Sequence, residues 1–109
     1  MPESGAVVTV EFPGVQGVKR RPAIIVSSET YHKSRPDVVL ALLTSQIGGA
    51  TSPTDYQLKD WSEAGLRGPS AFRAFFATLP ESTVTVIGQL SERDWAEVKS
   101  RLRLALATK

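Results

Sequence analysis

Apolar residues come in short runs divided by glycine, proline and hydroxyl-rich breaks, and only the last segment repeats at helical spacing. Residues 6–12 are β-branched and partly alternating, with Val8, Val10 and Phe12 on one face and Thr9 and Glu11 on the other, the pattern of a half-buried strand. Residues 13–20 hold a proline, two glycines and terminal cations, which predicts a mobile hairpin loop able to close over a ligand. A second strand covers 22–27, its core run being Ala23-Ile24-Ile25-Val26, and Pro22, with no amide hydrogen, belongs at the strand's first position or an edge. A polar connection over 28–37 leads to the continuous apolar run 38–43, a third, buried strand that ends in Thr44-Ser45-Gln46.

Farther along, a Gly, Ser, Thr and Pro loop over 47–54 precedes a brief strand at 56–58. Residues 61–66 suit one turn of helix ended by Gly65. In residues 71–77, Phe72, Ala74 and Phe76 share one face while Arg73 and Phe75 share the other, so this too reads as strand. A last strand covers 84–89. Ser91-Glu92-Arg93-Asp94 resembles a capping box with Asp in the fourth place, and Leu90 is set to staple onto Trp95. Trp95, Val98, Leu102, Ala105 and Leu106 then recur at helical spacing, which predicts an amphipathic helix over about 91–107 with its cations toward the C-terminus, as the helix dipole prefers. Five to seven short strands covered by one terminal helix predict an α+β fold, a small β-barrel filling residues 1–109 as one domain.

Composition narrows the function classes. The absence of cysteine excludes disulfides, thiol catalysis and thiolate metal sites, and the single histidine, His32, expected to be exposed in its polar segment, limits metal ligation further. Neither a metal nor a cofactor is expected. Residues 1–5 carry no basic cluster or apolar segment of signal-peptide length, and the run 38–43 is too short to span a bilayer, so a cytoplasmic protein with no membrane partner is expected. A net charge of +2 permits nucleic-acid binding without arguing for it, so the placement of the arginines matters more than their number.

Arg21 stands at the mouth of one buried strand and Thr44-Ser45 at the end of another, and they meet if those strands are neighbours. A guanidinium beside a hydroxyl suits phosphodiester chemistry, because the fork of N–H donors holds nonbridging oxygens and stabilises the charge that grows on them. The plainer alternative is a solvated arginine in a minor salt bridge and an ordinary strand terminus. Arg73 is either a second phosphate clamp or a cation stacked on Phe75. Lys19, Arg20, Lys33, Arg35 and Arg67 fall in loop segments and form either a basic rim or a set of solvated charges. Exposed Phe75 is a candidate interface residue. Gly48-Gly49 is followed by no Lys-Ser or Lys-Thr, which excludes a P-loop.

Gly5-Ala6-Val7-Val8, Arg21-Pro22-Ala23-Ile24-Ile25-Val26-Ser27, Leu43-Thr44-Ser45-Gln46, Gly65-Leu66 with Pro69-Ser70, Phe72-Arg73, Thr78-Leu79 and Ile87-Gly88-Gln89-Leu90-Ser91 together resemble the MazF/PemK family nearly end to end. The resemblance implies an SH3-like barrel, a homodimer, and a ribosome-independent endoribonuclease toxin, an mRNA interferase, blocked by the disordered tail of a cognate antitoxin. It implies that Arg21 is the catalytic acid and phosphate stabiliser and Thr44 the catalytic threonine. Ser45, Gln46 and Arg73 then contact substrate, with Arg20 and Lys19 on the loop's rim. The implied reaction on single-stranded RNA is metal-free, a 2′-hydroxyl attacking the adjacent phosphorus to leave a 2′,3′-cyclic phosphate and a 5′-hydroxyl. Two positions depart from the pattern. Where some members carry an Asp, a candidate base, this chain has Phe75, and Gly5-Ala6 replaces a frequent Gly-Asp. A non-catalytic RNA- or protein-binding barrel, or a topoisomerase-directed toxin of the same fold, are the alternatives.

Overall fold

The computed structural model describes residues 2–14 and 17–107, and the side chains of residues 12–19 lie outside that description. Its strands are β1 (Ala6–Gly14), β2 (Gly17–Ile25), β3 (Asp37–Thr44), β4 (Tyr56–Gln57), β5 (Ala71–Pro80) and β6 (Val84–Gln89). They form one antiparallel sheet in the order β4-β5-β3-β2-β1-β6. Helix α1 (Glu29–Ser34) interrupts the connection from β2 to β3, and α2 (Glu92–Ala105) ends the fold.

Along β1, β2 and β3 alternate side chains enter two different cores, which is why these strands read as continuous apolar runs. Val7, Ile24, Ala41 and Leu43 join Phe72, Leu58, Ala64, Leu90 and Val98 in the core beneath α2. Ala6, Val8, Val10, Ala23, Ile25, Val38 and Leu40 form the other core, against which Leu79 of β5 and Val84 of β6 both pack. Strands from opposite sides of the sheet meet over one core, so the sheet curls on itself. Its edges, β4 and β6, share no ladder. The turn after β4 closes that side instead, pressing its backbone onto β6.

Gly65 and Gly88 make that approach possible. Leu66 N–H donates to the Trp61 carbonyl at 3.1 Å and Gly65 N–H to the Ser62 carbonyl at 3.2 Å, the paired bonds of a Schellman motif, with Gly65 at φ +88. The expected single helical turn ended by Gly65 is this motif. A Cβ on Gly88 would lie 2.0 Å from the Ala64 carbonyl oxygen, and one on Gly65 would lie 2.4 Å from that of Ile87.

Several expectations are corrected. Strands run through much of the anticipated 13–20 loop, because residues 17–20 pair with residues 11–14 as a two-stranded ribbon. Only residues 15 and 16 of that loop, and the side chains of its remainder up to Lys19, lie outside the described residues. The 28–37 connection contains a helix whose N-terminus Ser28 caps, its Oγ accepting from Tyr31 N–H at 3.2 Å. His32 is buried, not exposed, at 4% of its free surface, with Nε2 2.6 Å from Ser27 Oγ. At the far end of α2, Val98 is buried and Trp95 and Leu102 pack on the core, but Leu106 and Ala105 face solvent. The helix closes at Leu106, before its apolar stripe can return to the sheet.

Candidate functional site

Pro22 shapes the site. It sits mid-strand opposite Thr9 of β1, but toward β3 the ladder begins only at Ala23↔Leu42. A residue with no N–H cannot extend that ladder, so Pro22 stands at an edge on this side although β2 is a central strand. Continuing the register past it sets Arg21 across from Thr44. Arg21 thus lies within β2, paired with Val10 of β1, and not at the mouth of a strand over 22–27 as expected, and it faces Thr44 at the end of β3 across an open gap where further pairing would have been.

Three linked cavities occupy this gap. The first, about 700 Å³, is lined by Arg21, Leu42, Leu43, Thr44, Arg73, Ala74 and Phe75. A second, about 350 Å³, shares Arg21 and Thr44 with it and adds Ser45 and Gln46. A third, about 620 Å³, shares Arg20, Pro22, Ser45 and Ser70 with the second and reaches Arg67, Leu66 and Ile87. Four guanidiniums, those of Arg73, Arg21, Arg20 and Arg67, therefore follow one trough, and among the described residues no carboxylate lines it.

The arginines differ in their ties. Arg20 reaches Glu11, its cross-strand partner, at 3.4 Å and Thr85 Oγ1 at 3.3 Å, which fixes it on the rim. Arg21, Arg67 and Arg73 enter no ion pair among the described residues. Arg73 does not stack on Phe75, since the cation–π pairs among the described residues are Arg35 with Tyr31, Lys99 with Trp95 and Arg101 with Tyr56. Lys33 and Arg35, the other cations of the expected rim, are paired with Glu29 and Asp37 and line none of the three cavities. Lys19 has its side chain outside the described residues. Thr44 Oγ1 accepts from Gln46 N–H at 3.0 Å, so its own hydrogen is directed elsewhere and remains a donor to the cleft.

A feature invisible to strand periodicity presents Arg73 and Phe75. Between Phe72 and Phe76, β5 advances four residues while β3 advances only two, from Leu43 to Ala41. The surplus forms a bulge, in which Ala74 takes φ +55, unusual for a residue with a side chain. Beneath the arch the rings of Phe72 and Phe76 meet edge-on, 6.5 Å between centroids.

A second polar network holds the turn that closes the trough. The Asp94 carboxylate, fully buried, accepts from Tyr56 Oη at 2.5 Å, Lys59 N–H at 3.1 Å and Asp60 N–H at 2.8 Å. Only half of the expected capping box forms, Ser91 Oγ accepting from Asp94 N–H at 3.3 Å, because the Asp94 side chain is engaged by the turn instead. Arg93 clamps Asp60 through two bonds of 2.7 and 2.6 Å, and Ser91 Oγ–H donates to the same carboxylate at 2.6 Å. The Arg93 guanidinium first, then the Ser91 hydroxyl, hold the Asp60 carboxyl down to about 2. Burial, followed by the hydrogen bond to Asp94, pushes the Tyr56 phenol up. Sequence reading missed Asp94's role because its partners lie about 35 positions away, and no local pattern encodes them.

Residues 3–106 match the family model described as PemK-like, MazF-like toxin of type II toxin–antitoxin system. Among solved structures, an endoribonuclease in complex with its cognate antitoxin from Mycobacterial species superposes with a TM-score of 0.81 at 23% identity, covering 100% of this chain and 98% of that one. A MazE–MazF structure from Deinococcus radiodurans gives a TM-score of 0.74 at 21% identity over 99% of this chain and 97% of its own. The Mycobacterium tuberculosis toxin MazF-mt6 gives 0.73 at 20% over 92% and 94%. Among curated proteins nothing matches the chain.

Proposed function

Because the chain belongs to the PemK-like, MazF-like toxin family of type II toxin–antitoxin systems, we propose that it is an endoribonuclease that cuts single-stranded RNA without a metal or cofactor. The observation that carries this reading is the meeting of Arg21, Thr44 and Arg73 in one cleft, within a trough that no carboxylate lines among the described residues. Such a cleft attracts a phosphodiester, and paired strands hold its donors where charge grows.

In the proposed step the 2′ oxygen of the ribose attacks the adjacent phosphorus and the bond to the 5′ oxygen breaks. A 2′,3′-cyclic phosphate and a 5′-hydroxyl result, and the proton lost by the 2′ oxygen is balanced by the one the 5′ oxygen gains. Arg21 and Arg73 hold the nonbridging oxygens, Arg21 also donating toward the departing 5′ oxygen. Thr44 donates its hydroxyl to the phosphate. Ser45 and Gln46 line the next cavity and contact the neighbouring nucleotide, with Arg20 on its rim. Phe75 stands where some relatives carry an acid and accepts no proton, so the 2′ proton passes to solvent.

The family's description supports a cognate antitoxin as the partner of this toxin. We assign a homodimer as well, which the exposed Leu104 and Leu106 at the end of α2 and Val86 and Ile87 on edge strand β6 support with apolar surface. No helix among the described residues is long and apolar enough to cross a membrane.

The test is cleavage of end-labelled single-stranded RNA in EDTA. Arg21→Ala is expected to lower the rate roughly 100- to 1000-fold, as loss of an oxyanion donor does. A single 2′-deoxy substitution at the scissile nucleotide should block the cut. Cleavage unchanged in Arg21→Ala overturns the assignment, and RNA bound but left intact by the wild type makes the barrel a binding module.

A further inference from the structure

Three phenylalanines crowd the start of β5, and the fold treats them differently. Phe72 is buried in the core and Phe76, half-buried, packs against it, whereas Phe75 in the bulge is 65% exposed. It lines the same cavity as Arg21, Thr44 and Arg73. Holding it there requires a left-handed backbone at Ala74, and observed strain beside a cleft points to a role for what the strain displays.

The cleft's contents identify the chemistry that fits. Two guanidiniums and a hydroxyl take an anion, and a bare aromatic face beside them takes a flat, weakly polar group. A nucleotide carries both in one unit. Among the described residues no acidic group lines this cavity to draw a basic peptide to it.

Resting on the endoribonuclease reading, we propose that Phe75 is the stacking platform for a nucleobase flanking the phosphate held by Arg21 and Arg73. Base–aromatic stacking tolerates any base, so the platform fixes the position of the strand and leaves sequence choice to other contacts. Phe75 is thus a positioning residue in the place where some relatives carry an acid. It sets the nucleotide's register so that the correct 2′-hydroxyl faces its phosphorus.

The experiment uses a fluorescein-labelled RNA decamer, 2′-O-methylated throughout to prevent cleavage, with binding read by anisotropy at fixed salt. Phe75→Ala should weaken binding roughly 5- to 150-fold, the range for loss of one stacked base. Phe75→Trp should bind within about threefold of wild type, and Phe75→Leu, apolar but without a π face, should behave like Phe75→Ala. Decamers with one abasic position scanned along the strand add a readout that a structural role would not move. One position should cost affinity in the wild type and cost nothing in Phe75→Ala.

Unaltered binding and an unaltered abasic profile in Phe75→Ala overturn the proposal. So does a shift from dimer to monomer in sedimentation with RNA affinity per protomer retained, which would place Phe75 against a second copy. Wild-type cleavage of the unmodified decamer, run alongside, separates the two ideas. If it is cut while Phe75→Ala binds normally, stacking alone fails; if it is neither bound nor cut, the endoribonuclease reading fails and stacking with it.

Discussion

At the scale of single residues, the contrast between two glycines tests how the barrel closes. Gly88 has the Ala64 carbonyl oxygen where its Cβ would sit, and that oxygen belongs to a turn pinned by the Asp94 and Asp60 networks, so neither side gives easily. Gly48, in a turn of 3₁₀ helix, has nothing within 4 Å of the same point. Gly88→Ala is therefore expected to destabilise by about 1 to 3 kcal/mol, the usual cost of overpacking. Gly48→Ala should stay within roughly 0.5 kcal/mol of wild type. Urea unfolding midpoints compare the two, and equal midpoints would refute closure by backbone contact. That Arg21 and Thr44 share a cavity was legible in sequence for a simple reason: each borders an apolar run, and neighbouring strands bring such positions together. Buried His32 was hidden, because a polar run gives no sign that Ser27 Oγ waits five positions upstream. The arch at Ala74 was hidden too, since a surplus of two residues leaves the alternation of exposed and buried positions along β5 unchanged.

Among elements, the helix α2 was readable from its 3.6-residue period, but its N-terminus serves a purpose no helical rule states. Asp94 neutralises its burial by accepting from three donors on β4 and the following turn, and so it locks that turn to the helix. Asp94→Ala strands the Lys59 and Asp60 amides and the Tyr56 hydroxyl, a loss expected to reach at least about 3 kcal/mol at roughly 1 to 3 kcal/mol for each buried group left unpaired. Chemical denaturation measures it, and a loss below about 1 kcal/mol would mean that water replaces the carboxylate. The neighbouring Asp60 clamp adds a pH dependence with a definite sign. Its carboxyl lies near 2 in the folded protein and near the ordinary value of 3.8 when free, so the folded state favours the ionised form. The stabilisation is complete above about pH 5 and disappears as the pH falls toward 2. The difference in melting temperature between wild type and Asp60→Asn should thus be constant from pH 7 to 5 and shrink below 4. A difference that grows with acidification would contradict the clamp. The β1–β2 ribbon was misread as loop because its glycines and proline suit a turn, while the cross-strand register and the Glu11–Arg20 pair that extend it are not local to either strand.

For the molecule as a whole, the net charge of +2 understates what the fold does with its charges. Arg35, Arg93 and Arg101 are matched with Asp37, Asp60 and Glu97, and Lys33 with Glu29, all outside the three cavities. Along one trough, by contrast, lie Arg73, Arg21 and Arg67, which enter no ion pair among the described residues, and Arg20, whose partner Glu11 is not among the lining residues. Sequence composition cannot reveal such segregation, because it depends on which acids the fold brings to which bases. Neutralising the phosphates of a single strand releases bound counterions, so the affinity of an uncleavable RNA should fall with salt as a power law. Four contacts at about 0.7 each give a slope near −3 for log affinity against log salt concentration. Arg67→Ala, at the far end of the trough, should reduce that slope by about 0.7, whereas Lys33→Ala, on α1, should leave it unchanged. Titrations between 50 and 300 mM salt decide it. A slope near zero would mean that the trough is not the track of the strand, and an equal response to Arg67→Ala and Lys33→Ala would mean that diffuse charge, rather than this line of arginines, holds the RNA.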